Sequence, residues 1–209
     1  MKCFKKIAAI VLLASMSSFA GIGLTIGGGL NMSNMAFSGD YENQIAGATK
    51  SMLIGFNAGV NALFGFNEKM GLVAGLNYET RGAELKMESG GVSATATGTY
   101  NYLQIPILFS YKFIPELAVN LGPELGFFLG GTSKMEVAGQ SQSNDLKNIS
   151  TMDLGLSIGV SYTIINMIVV GAGYDLGFLN TDNDPADKDM SGSITNNNIK
   201  ITVAYLIHL

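Results

Sequence analysis

The chain of 209 residues is sized for one domain and carries 16 acidic against 12 basic residues, a net charge of −4. Only 13% of residues are charged, about half the fraction usual in soluble domains, and mean hydropathy is +0.30. One cysteine and one histidine exclude a disulfide framework and a Cys/His zinc site, and the acidic balance argues against nucleic-acid binding.

The first stretch reads as an address. Lys2, Lys5 and Lys6 precede the apolar run Ile7–Leu13, and Ser18-Phe19-Ala20 offers a small-x-small cleavage site. That run is too short to cross a bilayer as a helix, so residues 1–20 are expected to be a Sec signal peptide cleaved after Ala20. Cys3 precedes the apolar core instead of marking a lipidation junction, so it leaves with the leader. Removing the three lysines takes 12 basic residues to 9 against 16 acidic ones, a net −7. Beyond Ala20, Gly, Asn, Asp or Lys interrupts every apolar stretch, so no transmembrane helix is expected.

From Gly21 the pattern is alternation, the period of strands. Gly21–Ser33 sets Ile22, Leu24, Ile26, Leu30 and Met32 against small polar residues, and a polar stretch, Asn34–Ser51, follows. Met52–Phe66 and Met70–Arg81 repeat the rule around a tight turn at Asn67-Glu68-Lys69. Gly82–Gly98, rich in Gly, Ser and Thr, reads as a loop. Asn101–Phe113 and Leu117–Gly130 form the clearest hairpin, folded about Ile114-Pro115-Glu116, with another polar loop, Thr132–Ser150, after it. Met152–Ile164 and Met167–Leu179 flank a short turn at Ile165-Asn166. The loop Asn180–Asn197 leads into a last strand carrying Ile199, Ile201, Val203, Tyr205 and Ile207.

This predicts an all-β fold of eight antiparallel strands in an up-and-down transmembrane barrel, built from residues 21–209. Long connections after strands one, three, five and seven alternate with short ones, as in barrels with long extracellular loops and short periplasmic turns. A soluble barrel holding an apolar ligand also alternates, so the charges must decide which face is outside. Glu79, Arg81, Lys112, Glu124, Asp153, Asp175 and Lys200 all fall on the face otherwise made of Gly, Ser, Thr, Asn and Ala. A solvated outer face would be studded with Lys and Glu, whereas few charges of both signs among small residues suit a narrow lumen. The apolar face therefore points to lipid, with Tyr78, Tyr111, Phe113 and Tyr162 as interface aromatics. Unpaired backbone groups cannot face hydrocarbon, so the first strand must pair with the last. If Phe113 pairs with Leu117, Pro106 lies opposite Glu124 and Ile107 opposite Pro123, and two missing donors predict an irregular rung there.

Tyr102-Leu103-Gln104-Ile105-Pro106-Ile107-Leu108 and Leu121-Gly122-Pro123-Glu124-Leu125-Gly126 resemble the hairpin of the PorT-like outer-membrane β-barrel family, found in Bacteroidetes and relatives. Gly27–Asn34 looks like that family's first strand, and Leu76-Asn77-Tyr78 with Arg81-Gly82-Ala83 like the end of its third. The resemblance implies the fold and an outer-membrane location, and it implies no activity. It also implies outer-membrane lipid and lipopolysaccharide around the wall and the barrel insertion machinery as an assembly partner. The chain ends Ile207-His208-Leu209 where such barrels often end in an aromatic residue.

The seven charges on the small-residue face are the candidate site, expected to pair as a plug that fills the lumen, with Arg81 on Glu79 or Glu124. Asp182–Asp189 places carboxylates at alternate positions, but Pro185 and the lack of a closing Glu favour a solvated acidic loop over a calcium site. His208 has no second His, Cys or nucleophile elbow to work with, so no enzyme, metal or cofactor is expected. The functional expectation is a plugged barrel acting as a structural or surface-binding protein through its loops, toward a partner the loops do not name. The alternatives are a narrow ion or solute channel and a soluble periplasmic barrel.

Overall fold

Alternation becomes strand in the computed structural model, which describes residues 21–183 and 191–209. The expected leader (residues 1–20) and most of the acidic stretch Asp182–Asp189 lie outside the described residues. The strands are β1 (Gly21–Phe37), β2 (Thr49–Gly65), β3 (Met70–Ser89), β4 (Val92–Ile114), β5 (Leu117–Val137), β6 (Gln140–Asp145), β7 (Met152–Ile164), β8 (Ile168–Gly177) and β9 (Ile194–His208). One short helix, α1 (Asp40–Gln44), lies between β1 and β2.

All strands but β6 form an antiparallel ring of eight, closed by β1 on β9 from Gly23–His208 to Phe37–Ile194. Closure satisfies the backbone of both terminal strands, which is what a wall in hydrocarbon requires. The wall's outer surface is apolar: Ile26, Leu30, Ile54, Phe56, Leu76, Phe109, Ile158 and Val203 are all exposed. The buried side chains are mainly polar or charged, among them Asn31, Glu79, Arg81, Glu124 and Asp175. This inside-out arrangement rules out the soluble barrel, whose apolar face would line the interior.

Two expected loops are strands instead. Where Gly82–Gly98 reads as a loop, β3 and β4 continue as a paired hairpin to a two-residue turn at Gly90-Gly91, with φ of 59° and 78°. Both central residues of such a turn need positive φ, which Gly supplies at no steric cost. Within Thr132–Ser150, β5 runs on to Val137, turns at Ala138-Gly139 and returns as β6, paired from Thr132–Asp145 to Val137–Gln140. Likewise β1 reaches Phe37, β2 begins at Thr49 and β9 begins at Ile194, shortening the loops expected over Asn34–Ser51 and Asn180–Asn197.

These extensions do not show in the alternation because their faces are inverted. The rows Leu85–Ala96–Met135 and Met87–Ala94–Val137 continue the lumen side of the wall and are apolar. The rows Glu84–Thr97–Lys134 and Lys86–Thr95–Glu136 continue the lipid side and are polar, with ion pairs Lys86–Glu84 at 3.1 Å and Lys134–Glu136 at 3.3 Å. The outward face changes from apolar to polar just beyond Tyr78 and Leu103, at Thr80 and Asn101, and carries charge from Glu84. That change marks the outer limit of the hydrocarbon, because a charged row could not face lipid at its centre.

The β4–β5 hairpin keeps the expected register over most of its length. At the tip Ile114, not Phe113, pairs with Leu117, and Phe113 becomes the extra residue of a bulge. From Lys112–Ala118 the register is as expected, and Pro106 faces Glu124. The pairing skips from there to Phe109–Leu121, and on the other side β3–β4 pairing skips from Asn77–Gln104 to Ala74–Ile107. Pro106 and Pro123 each remove a ladder donor, and the ladder is broken where they sit.

Candidate functional site

Register decides which inward side chains meet. Asn57 pairs with Glu79 and Glu79 with Tyr102; Ser157 pairs with Asp175 and Asp175 with Asn198; Asn31 pairs with Lys200. Glycines stand beside the large groups: Gly126 between Gln104 and Asp153, Gly155 beside Glu124, Gly173 beside Lys200. A barrel this narrow has no room for a large inward residue on every strand, so the alternation lets long side chains cross the axis.

Five of the seven predicted residues converge at mid-lumen. Arg81 Nη2 donates to Glu79 Oε2 at 2.7 Å, Glu124 Oε1 at 2.5 Å and Asp175 Oδ2 at 3.1 Å, while its Nε donates to Glu79 Oε2 at 2.9 Å. Lys200 Nζ lies 3.1 Å from Glu79 Oε1, 3.0 Å from Glu124 Oε2 and 2.9 Å from Asp175 Oδ2. The three carboxylates and Arg81 expose 3% or less of their side chains and Lys200 14%. The carboxylate oxygens lie within 4.8 Å of one another, a spacing that suits a hard cation, and here the two side-chain cations fill that role.

Neutral amides and hydroxyls brace the cluster. Ser157 Oγ donates to Asp175 Oδ1 at 2.7 Å, and Asn198 Nδ2 reaches Asp175 Oδ2 at 3.2 Å and Glu79 Oε2 at 3.3 Å. Asn31 is held by Asn57 at 2.6 Å and donates to the carbonyls of Phe56 and Thr80, which fixes β3 beside Arg81. At the next residue Gly82 has a φ of 155° and donates its N–H to Ser33 Oγ at 2.8 Å. A Cβ there would overlap the Gly98 carbonyl, so only glycine lets the wall close behind Arg81.

The remaining two predicted residues stand apart. Asp153 is buried toward the extracellular side and accepts from Asn196 Nδ2 at 3.1 Å. Lys112 is exposed near the periplasmic turn and pairs with none of the cluster. Alternation puts it on the lumen face correctly but says nothing of depth. Tyr102, Asn196 and Asn198, fully buried contributors to the same interior, were not among the predicted residues. The signal for the last two was present in the period-two run Asn196, Asn198, Lys200, Thr202.

The expectation of a lumen filled throughout is corrected. Below the cluster a cavity of about 240 Å³ runs from Glu79 and Lys200 to Lys112 and Glu116 at the periplasmic mouth. Its walls include Gly27, Gly59, Gly159 and Gly171 and Asn, Ser and Thr side chains, with Leu63, Val73, Leu108 and Leu206 among them. On the extracellular side Tyr41, 6% exposed, donates its hydroxyl to Asp182 Oδ2 at 2.7 Å across the loops. The lumen is thus closed at mid-height by the ion pairs and open below. His208 sits at the periplasmic rim, its Nε2 3.0 Å from the Asn166 carbonyl oxygen.

The family described as outer membrane protein beta-barrel domain matches residues 14–183. No curated protein matches the chain. Among solved structures, Ail, the attachment invasion locus protein of Yersinia pestis, is similar at 17% identity and a TM-score of 0.48, over 90% of this chain and 99% of that one. Neisserial surface protein A and OprG of Pseudomonas aeruginosa are each similar at 12% identity and a TM-score of 0.41, over 91% of this chain and 98% of theirs.

Proposed function

Because the chain belongs to the outer membrane protein beta-barrel domain family, we propose that it serves in the outer membrane as a structural or surface-binding barrel, acting through its extracellular hairpins. The observation that carries this reading is the plug: Arg81 and Lys200 bind three carboxylates across the axis and leave the extracellular hairpins as the accessible functional surface. Those hairpins project past the hydrocarbon as paired strands, a stiffer platform than loops would give. Lipopolysaccharide around the wall, the barrel insertion machinery during assembly and a Sec leader ending at Ala20 belong to the same proposal. So does a place among PorT-like barrels, supported by the Pro106 and Gly122-Pro123 hairpin. No enzymatic role is included.

The test is a pull-down from intact cells with the full barrel and with a variant whose two tips, residues 85–96 and 134–143, are replaced by short turns. Capture that persists without the tips would sink the proposal. A second reading, a gated narrow conduit, is favoured by the cavity that reaches half-way through the lumen and stops at Lys200. Planar-bilayer recording separates the two. A plugged barrel is silent, whereas reproducible wild-type conductance steps that change on Arg81→Ala would establish the conduit.

A further inference from the structure

The mid-lumen charges do not balance. Glu79, Glu124, Asp175 and the neighbouring Asp153 are four carboxylates, each 4% exposed or less, and Arg81 and Lys200 are the two cations among them. Two negative formal charges are left over. Among the described residues no lysine or arginine forms an ion pair with Asp153, whose Oδ2 accepts from the Asn196 amide at 3.1 Å. A buried anion without a charge partner is expensive, and interiors do not retain one without compensation.

Buried unpartnered oxygens occur on β7 and along Asn196-Asn197-Asn198 of β9. Asp153 Oδ1, Asn196 Oδ1 and Asn198 Oδ1 are buried and have no hydrogen-bond partner. The amide of Asn196 is turned toward Asp153 by the bond between Nδ2 and Oδ2, and each orphan oxygen shares a carbon with an atom of that bond. Both orphan oxygens therefore lie beside that hydrogen bond. The Tyr102 hydroxyl, which accepts from the same Nδ2 at 3.3 Å, adds a fourth oxygen. Asn198 follows Asn196 on the same inward face of β9. One buried donor, Gln104 Nε2, is also unpartnered, and its amide lies over Gly126, the residue paired with Asp153. A single water could accept from Gln104 and donate to two of the oxygens, but it would bring no charge.

We propose that the barrel holds one hard divalent cation, of the calcium type, between Asp153 and Asn196 on the extracellular side of the ion-pair plug. A carboxylate oxygen, amide oxygens and a phenol oxygen are the ligand chemistry such a cation takes, with water completing the shell. Two positive charges there neutralise the lumen. The ion also ties β7 to β9 where no side-chain salt bridge does.

Calcium is the probe. The full-length barrel is purified in detergent, dialysed against calcium or chelator, and assayed for metal content and for its urea unfolding midpoint. One calcium per chain is expected, with a midpoint that rises in calcium. Losing even an outer-shell partner lowers metal affinity by about 10–100-fold, so Asp153→Asn, which removes the only charged ligand, is expected to lower it by more than about 100-fold. Lys112→Met, at the mouth, is expected to bind normally. Wild type that retains no calcium would overturn the proposal and leave water or protons as the compensation. Equal calcium in wild type and in Asp153→Asn would also overturn it, by placing the ion elsewhere, such as on the acidic loop. Should Asp153→Asn fail to fold, Asn196→Ser, which removes the amide oxygen and keeps the carboxylate, decides: lowered calcium content supports the site and unchanged content overturns it.

Discussion

Replacing Arg81 by methionine tests the plug most directly. Methionine keeps an unbranched apolar stem and removes the guanidinium. Glu124 Oε1 then loses the Arg81 donor, and Glu79 Oε2 keeps the Asn198 amide at 3.3 Å. Three carboxylates would face Lys200 alone. Breaking a buried ion pair by removing one partner costs about 3–5 kcal/mol, roughly two to three and a half powers of ten in the folding equilibrium. With a urea slope of about 1–3 kcal/mol per molar, the unfolding midpoint in lipid vesicles falls by about 2 M. Glu124→Gln should be far milder, within about 1 kcal/mol of wild type, because the plug's three carboxylates outnumber its two cations. The double variant Arg81→Met/Glu124→Gln should recover at least about 1 kcal/mol relative to the sum of the singles, since the two groups are in contact. If Arg81→Met unfolds within about 1 kcal/mol of wild type, or if Glu124→Gln is as damaging, the cluster is not held together by its ion pairs.

Other consequences follow from the wall. Leu30 and Met135 are equally exposed, at 57% and 56%, yet one faces hydrocarbon and the other lies beyond it. Leu30→Arg is therefore expected to cost about 2–4 kcal/mol in vesicle unfolding, and Met135→Arg less than about 1; equal costs would move the membrane boundary. A Cβ at Gly29 would overlap the Ile201 carbonyl across the β1–β9 seam. Gly29→Val should accordingly cost about 1–3 kcal/mol and lower the yield of heat-modifiable barrel on gels. Lys112→Met, outside the cluster, should shift unfolding by no more than about 0.5 kcal/mol, and a larger loss would tie Lys112 to the plug.

What could be read in the sequence, and what could not, divides along one physical line. Period-two alternation shows which face a residue takes wherever lipid enforces it, so the ring, its closure and the inward side of all seven charges were legible from residues such as Ile26, Phe109 and Val203. Depth along the axis is a different quantity. Glu79 and Lys112 share a face, yet only register puts Glu79 beside Lys200 and leaves Lys112 at the mouth. Beyond the membrane the rule itself changes sign. Thr95 and Thr97 take the outward face there and Ala94 and Ala96 the inward one, so a pattern tuned to lipid dissolves into an apparent loop although pairing continues unbroken from Ala83–Gly98 to Ser89–Val92. Asn196 was lost in the same way, assigned to a loop when β9 had already begun at Ile194. The consequence reaches the site. Residues that complete the plug's upper layer, Tyr102 and Asn196 over Asp153, lie where lipid no longer dictates the alternation and the lumen still demands that buried polar groups be paired. Sequence reading of a barrel is therefore weakest within a rung or two of the outer boundary. That is also where this lumen keeps its unpaired carboxylate and its orphan oxygens.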